Sequence, residues 1–239
     1  MRIVLAENEG RSDILLAEGV RGIAPQRPRQ VAAKSHGTVL ATQLPMTAKS
    51  RRPLQSGDDL PPFDRKTGIV HAIVDTPKGS RNKFKFDDER GLFKLAGVLP
   101  AGAYFPFDFG FIPSTLGEDG DSLDILLLMD EPAFVGCLVE ARLLGGIAAN
   151  QTEDGKTERN DRLIAVADKS GTQKHLRSID QLPENLLHEI EHFFVSYNQG
   201  KGRLFEPSGR FGPGEARQRI DEGRKRFEKP PAKKRTRKK

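Results

Sequence analysis

A chain of 239 residues suits one domain of roughly 100–200 residues plus further segments, and can build a core without disulfide support. It has one cysteine, so no internal disulfide is available, and the apolar runs at 125–129 and 163–167 fall far short of the roughly 20 residues of a membrane-spanning helix. The net charge of +6 is unevenly spread: residues 224–239 carry +9 and residues 1–60 carry +3, which leaves −6 on 61–223 and argues against a nucleic-acid reader along that stretch.

The first residues, MRIVLAENEG, break into charges too early for a secretory leader. With Cys137 alone in the apolar setting FVGCLVEARLL, a core thiol in a reducing cytoplasm is the expected situation. Residues 1–60 mix Pro, Gln, Ser and Arg without a sustained period, and the run at 14–17 is their best helix candidate. They read as a disordered arm.

Strand signals follow. GIVHAIVD (68–75) is apolar and rich in branched side chains, and KFKFD (83–87) alternates, with Phe84 and Phe86 on one face and Lys83 and Lys85 on the other. Further strands are predicted at 105–111, 125–129, 136–144 and 162–167, separated by Gly- and Asp-rich turns. Short strands at this spacing predict a barrel or sandwich. PENLLHEIEHFFVSYNQG (183–200) predicts a helix, with Leu186, Leu187, Ile190, Phe193, Phe194 and Tyr197 on one stripe. A second, charged helix is predicted from Gly214 to Phe227. The fold class is thus mainly β with flanking helices (α+β). The domain reading is an arm at 1–60, a barrel domain at 61–210, a C-terminal helix at 211–223 and a disordered basic tail at 224–239. On that reading a core lacking residues 1–60 and 224–239 stays folded and active.

The strongest chemical signal is EDGDSLDILLLMD. Asp119, Asp121 and Asp124 crowd around Gly120 directly before an apolar strand. Close carboxylates repel one another unless solvated or bridged by a cation. Hard cations such as Mg²⁺ take oxygen ligands, commonly one or two carboxylates with water and substrate phosphate, and two such ions can activate water and clamp phosphate. A solvated acidic turn is an equally weighted reading of this motif alone. A calcium-binding loop is excluded because Leu123 stands at its third acidic position. In TPKGSRNKFKF, Lys78, Arg81, Lys83 and Lys85 could neutralise a polyphosphate or line a solvated strand edge. HEIEH (188–192) matches the zinc-peptidase pattern but puts His188 and His192 opposite the apolar stripe, with no obvious third ligand. GKT at 155–157 lacks the earlier glycine of a phosphate-binding loop, since Asn150 stands there.

Taken in order, four segments resemble the family I soluble inorganic pyrophosphatases: IVDTPKGSRNKF, FPFDFGFIPSTLGEDGDSLDILLLMDEP, QTEDGKTERNDRLIAVA and HFFVSYN. The resemblance spans about Ile69 to Phe205. It implies a five-stranded OB-like barrel with flanking helices, Mg²⁺-dependent hydrolysis of inorganic pyrophosphate to two phosphates, and a homo-oligomer, a hexamer in many bacteria. It implies metal-site roles for Asp119, Asp121, Asp124 and Glu153 (or Asp154), with Asp121 the catalytic carboxylate that bridges metals near the attacking water. Lys83, Arg162 and Tyr197 fall on phosphate-binding positions, Arg162 in place of a lysine, and Asp75 replaces an acid that is usually Glu.

Other positions depart from that pattern. Gly97 stands where an arginine grips phosphate, Asn160 where a metal-site aspartate is expected, with Asp161 beside it, and Asn198 where a lysine follows the binding tyrosine. Lys85 replaces a common acid, and Phe105 and Phe109 replace common tyrosines. The departures favour an alternative: a weakly active or non-catalytic relative that binds phosphate compounds or nucleic acid, in which the basic tail adds salt-sensitive polyanion contact. The intact acidic loop favours the enzyme.

Overall fold

Continuous apolar runs in two strands set the architecture. In the computed structural model, which describes residues 60–87 and 89–229, β1 (Val70–Thr76), β2 (Asn82–Asp87), β3 (Leu92–Val98), β4 (Asp108–Phe111), β5 (Asp124–Leu128), β6 (Leu138–Glu153), β7 (Lys156–Arg159) and β8 (Arg162–Ala167) are followed by α1 (Glu184–Gln199), β9 (Leu204–Phe211) and α2 (Pro213–Glu228). β5 (DILLL) and β8 (RLIAVA) pair in parallel and are buried on both faces, which explains their lack of polar alternation. Ile125 and Leu127 join Leu163 and Ala165 in one apolar cluster with Val70, Ala72, Val74, Phe211, Ala216 and Ile220. Leu126 and Leu128 join Ile164 and Val166 in a second, with Phe105, Phe109, Leu187, Ile190 and Phe194. A one-residue slip of either strand would exchange the two faces. Each fully buried Leu or Ile contributes about 1.5–3 kcal/mol.

The ring closes through β1, β4, β5, β8 and β6, with β6 returning to β1. This is the five-stranded barrel the resemblance implies. β2 and β3 form a separate antiparallel hairpin.

The 16-residue β6 serves two purposes. Its first half pairs with β1 and β8, and its second half with β7 and β9. The strand predicted at 136–144 is only the first half, because Gly145-Gly146 reads as a turn. The pair instead marks a bulge: the register against β8 shifts between Leu143 and Gly145, and Gly145 has φ +145°. A Cβ on Gly145 would lie 2.1 Å from the Phe211 carbonyl oxygen, so only glycine lets β6 bend around β9. Three strands were absent from the sequence reading: β3, β7 and β9. β3 leaves Leu92, Leu95 and Val98 exposed, which blurs its alternation. β9 contains Pro207 and Gly209 and pairs only with β6, an edge position where both are tolerated.

α1 buries Leu187, Ile190 and Phe194 and leaves His188 and His192 exposed. α2 buries Ala216, Ile220 and Gly223 and runs to Glu228, matching the helix predicted from Gly214 to Phe227, so the tail boundary set at 224 falls inside folded helix. There the Leu116 amide donates to the Gly223 carbonyl (3.0 Å) and Arg226 Nε donates to the Leu116 carbonyl (2.8 Å). A cut before Arg224 therefore removes folded helix and a contact to the β4–β5 loop. All of the arm at 1–60 except Leu60, its helix candidate at 14–17 and the tail from 230 onward lie outside the described residues. No helix among the described residues is long and apolar enough to cross a membrane.

Gly145→Ala should destabilise the fold by about 3 kcal/mol or more, the upper range for overpacking a tight site. Gly97→Ala, with nothing within 4 Å of the added Cβ, should have a far smaller effect. Urea unfolding midpoints check both, and equal midpoints would mean that the bend does not depend on this contact.

Candidate active site

The β4–β5 connection brings its acids to the mouth of a cleft of about 790 Å³. The loop is folded by its own backbone. Gly117 donates to the Asp121 carbonyl at 2.7 Å, Asp121 donates its amide to Asp119 Oδ1 at 3.1 Å, and Gly120 takes φ +86° at the turn. Thr115, buried, accepts from the Leu123 amide and donates to the Ile112 carbonyl. Gly223 of α2 lies so close that an added Cβ would meet Leu123 at 2.8 Å. Asp124 is the first residue of β5, so its carboxylate leaves from a strand that is otherwise wholly buried.

Asp119, Asp121 and Asp124 all line this cleft, with Glu153, Asp154 and Glu158 from the β6–β7 hairpin on another side. Facing them are Lys83 and Lys85 of β2, Arg162 of β8, Lys156 of β7, and Lys201 and Arg203 of the turn between α1 and β9. Most of these charges are matched. Lys85 Nζ sits 2.8 Å from both Asp121 carboxylate oxygens, Arg162 Nη1 is 2.7 Å from Asp124, and Arg203 is 2.8 Å from Glu153. Lys156 pairs with Glu158. Lys83 Nζ lies 2.6 Å from both oxygens of the buried Asp75 and 4.4 Å from the Phe109 ring centroid. Asp119 makes no ion pair among the described residues.

Asp119 is exposed at the cleft mouth, yet desolvation by its neighbours raises its carboxyl to about 6 against the opposing pull of the Asp121 amide, with Asp124 and Asp121 pushing it further up. Burial likewise raises Asp75 to about 6, although Lys83 pulls it down. The surplus negative charge at Asp119 is what a cation would relieve. Among the described residues no His or Cys lines the cleft, and an all-oxygen donor set fits a hard divalent ion. Among the described residues no three acidic, His or Cys side chains converge on one point as a metal cluster. Asp121, Asp124 and Glu153 are instead turned toward basic neighbours and Asp119 toward the Asp121 amide, so the residues fit such an ion by chemistry and not by a preformed cage.

The phosphate-type positions come together as well. Arg162 is 3% exposed and lies 4.9 Å and 5.0 Å from the Phe194 and Phe205 ring centroids, a stacking a lysine would not reproduce. Tyr197 is pushed up to about 12, first by burial and then by Asp124 and Asp75, so it remains a hydroxyl donor. Asn160 lines the cleft, donates Nδ2 to Gln151 and accepts from Arg162. Asp161 points elsewhere: it accepts from the Ala149 amide, from Arg159 at 2.7 Å and from Arg219, and cannot supply the carboxylate that Asn160 lacks. Gly97 pairs across from Lys83. Asn198 is buried and donates to the Phe194 carbonyl at 2.8 Å. His188 is occupied by Glu184 and Glu191 on the far face of α1, outside the cleft. Sequence reasoning missed Lys201 and Arg203. Their only signal was two basic residues just past the helix carrying Tyr197.

A family model described as inorganic pyrophosphatase matches residues 72–228. The inorganic pyrophosphatase of Geobacillus stearothermophilus is 39% identical over 160 residues, 67% of this chain and 93% of that protein. A crystal structure of the inorganic pyrophosphatase from Thermus thermophilus aligns with a TM-score of 0.65 at 32% identity, over 74% of this chain and 99% of that one. The corresponding Neisseria gonorrhoeae structure gives 0.65 at 31% identity, over 72% and 99%.

The raised carboxyls fix the sign of a pH effect. Asp75 and Asp119 hold protons in the fold that the unfolded chain releases near 3.8. Their contribution is therefore full below about 4 and lost as pH rises through about 6. Asp87 and Asp130, held near 2 by hydrogen bonds led by Lys94 and Thr172, work in the opposite sense and lose their contribution as pH falls toward 2. In chelator, melting temperature should fall between pH 5 and pH 7.5, and Asp119→Asn should flatten that fall while the fold is kept. A rise over this range would contradict the assigned burial.

Proposed function

The chain belongs to the inorganic pyrophosphatase family, and on that premise we propose that it hydrolyses inorganic pyrophosphate to two phosphates in this cleft, with Mg²⁺ as the divalent ion. Metal dependence is a property of the family. The observation that carries the reading is a single cleft in which a wall of carboxylates, led by Asp119, Asp121 and Asp124, faces a wall of basic side chains. A dense polyanion accompanied by cations needs both.

In this reading Asp119, Asp121, Asp124 and Glu153 would hold the ions, with the Asn160 carbonyl a weaker neutral ligand. When bound, the ions would supply Lewis acidity toward phosphate oxygens and toward a water. Asp121 accepts the proton that the attacking water loses; its present partner, Lys85, is half exposed, so water or an ion can compete for that carboxylate. Lys83, Arg162 and Tyr197 hold phosphate oxygens and offset charge that grows on the leaving phosphate. Phe194 and Phe205 keep the Arg162 guanidinium fixed, so little reorganisation accompanies the reaction. The phosphoryl group passes to water, so no enzyme nucleophile is required.

A second reading, a weakly active relative, is favoured by one observation: Asp161 is fully engaged elsewhere, so the missing carboxylate at Asn160 is not replaced from beside it. A homo-oligomer, a hexamer among the options, a cytoplasmic setting and weak polyanion binding by residues 224–239 complete the proposal.

Phosphate release from pyrophosphate should require Mg²⁺ and persist with a zinc-selective chelator, and Asp121→Asn should lower kcat at least a hundredfold, as loss of a proton acceptor does, while melting near the wild-type temperature. Activity that tracks zinc and vanishes in His188→Ala would restore the peptidase reading, and near-wild-type turnover in Asp121→Asn would remove that residue's role.

Gly97→Arg tests the departures. Position 97 has room for a side chain and lies beside Lys83, and a guanidinium can grip two phosphate oxygens at once. The expected result is a KM for pyrophosphate lowered about tenfold, the effect of one added charge-assisted contact. An unchanged KM in a folded variant would mean the cleft already satisfies those oxygens.

A further inference from the structure

We propose that Lys201, on the turn between α1 and β9, is a substrate-binding residue that grips a pyrophosphate oxygen together with the Tyr197 hydroxyl; this rests on the pyrophosphatase reading above. The cleft's other basic side chains each hold a carboxylate. Lys201 lines the same cleft and pairs with no carboxylate among the described residues. Its ammonium donates to Tyr197 Oη at 2.5 Å and lies 4.2 Å from that ring's centroid. An ammonium has three donors, so two remain for an anion beside the tyrosine. Asn198, one residue past Tyr197, cannot serve, since it is buried with its amide turned back to the Phe194 carbonyl. The next lysine along the chain therefore provides the positive charge at this end of α1.

The electrostatics agree with that placement. Burial, then Arg203 and Lys83, lower the Lys201 ammonium to about 8, with Arg162 adding to the effect and Asp124 opposing it. Tyr197 faces it from α1 and remains neutral. A cation crowded by other cations and lacking a carboxylate is stabilised when an anion arrives. The protonated form is the one that binds, so kcat/KM should fall as pH rises through about 8. Arginine does not titrate in this range, so Lys201→Arg should keep binding and lose the fall.

The test uses the full chain with Mg²⁺ and imidodiphosphate, a non-hydrolysable pyrophosphate analogue, titrated by calorimetry, alongside phosphate-release kinetics. Lys201→Met should weaken imidodiphosphate binding and raise the KM for pyrophosphate roughly tenfold to hundredfold, the effect of one charge-assisted hydrogen bond, with kcat within a few-fold. Lys201→Arg should restore affinity and flatten the alkaline limb. Unchanged affinity in Lys201→Met, a loss of kcat alone, or an alkaline limb that persists in Lys201→Arg would overturn the proposal and leave the pyrophosphatase reading intact. A wild-type chain that neither binds imidodiphosphate nor releases phosphate would overturn that reading, and the role of Lys201 with it.

Discussion

The mutual repulsion of carboxylates gathered at the mouth of a buried barrel is the constraint around which the rest of the molecule is arranged. Asp119, Asp121 and Asp124 occupy a six-residue loop whose last member begins a strand buried on both faces. Gly117, Thr115 and the end of α2 hold the loop's backbone, so its three carboxylates stay close together although Asp121 reaches solvent. Charge is balanced from outside the loop, by Lys85 of β2 and Arg162 of β8. At Asp119, which pairs with no cation among the described residues, desolvation first and the neighbouring Asp124 and Asp121 second raise the carboxyl toward 6. The cleft is thus built with an electrostatic deficit that cations can fill, and functional sites commonly hold such destabilising features.

The same balance organises the positive side. Arg162, against the Phe194 and Phe205 rings and Asp124, and Lys83, over Phe109 and against Asp75, are held by aromatic and ionic contacts at once. The aromatic cluster of Phe105, Phe109, Phe193, Phe194 and Tyr197 connects these cations to α1, so packing of the helix and orientation of the charges are one structural problem. Phe105 and Phe109, which stand where the resemblance expects tyrosines, lie within this support, whereas two other departures weaken the charge balance. Asn160 removes a charge next to a buried arginine, and Gly97 leaves one side of the β2–β3 hairpin without a side chain.

The sequence made the barrel legible chiefly through the resemblance, because the pattern alone left barrel and sandwich open. Strands with a simple burial pattern, β1, β2, β5 and β8, could be read directly. β6 was cut short because Gly145-Gly146 signals a turn locally and a bulge only in the presence of Phe211, a long-range contact. β9 was hidden by Pro207 and Gly209, and β3 by exposed apolar residues. At the site, the acidic loop was visible because its residues are neighbours in sequence. Lys201 and Arg203 enter the cleft only through the tertiary position of the α1–β9 turn, and no local spacing announces that. HEIEH was a match in letters alone, since its histidines face away from the cleft.

The most direct test of the cleft as a cation-dependent site is calorimetric titration of Mg²⁺ into chelator-stripped protein in buffers of different ionisation enthalpy, at pH 6 and pH 8. The Asp119 carboxyl, raised toward 6, gives up its proton when a cation binds beside it. Saturable binding is therefore expected at both values, with net proton release at pH 6 and little at pH 8, and Asp119→Asn should abolish most of that release. Absence of saturable Mg²⁺ binding at pH 8, or proton release that is the same at both values and untouched by Asp119→Asn, would contradict the account.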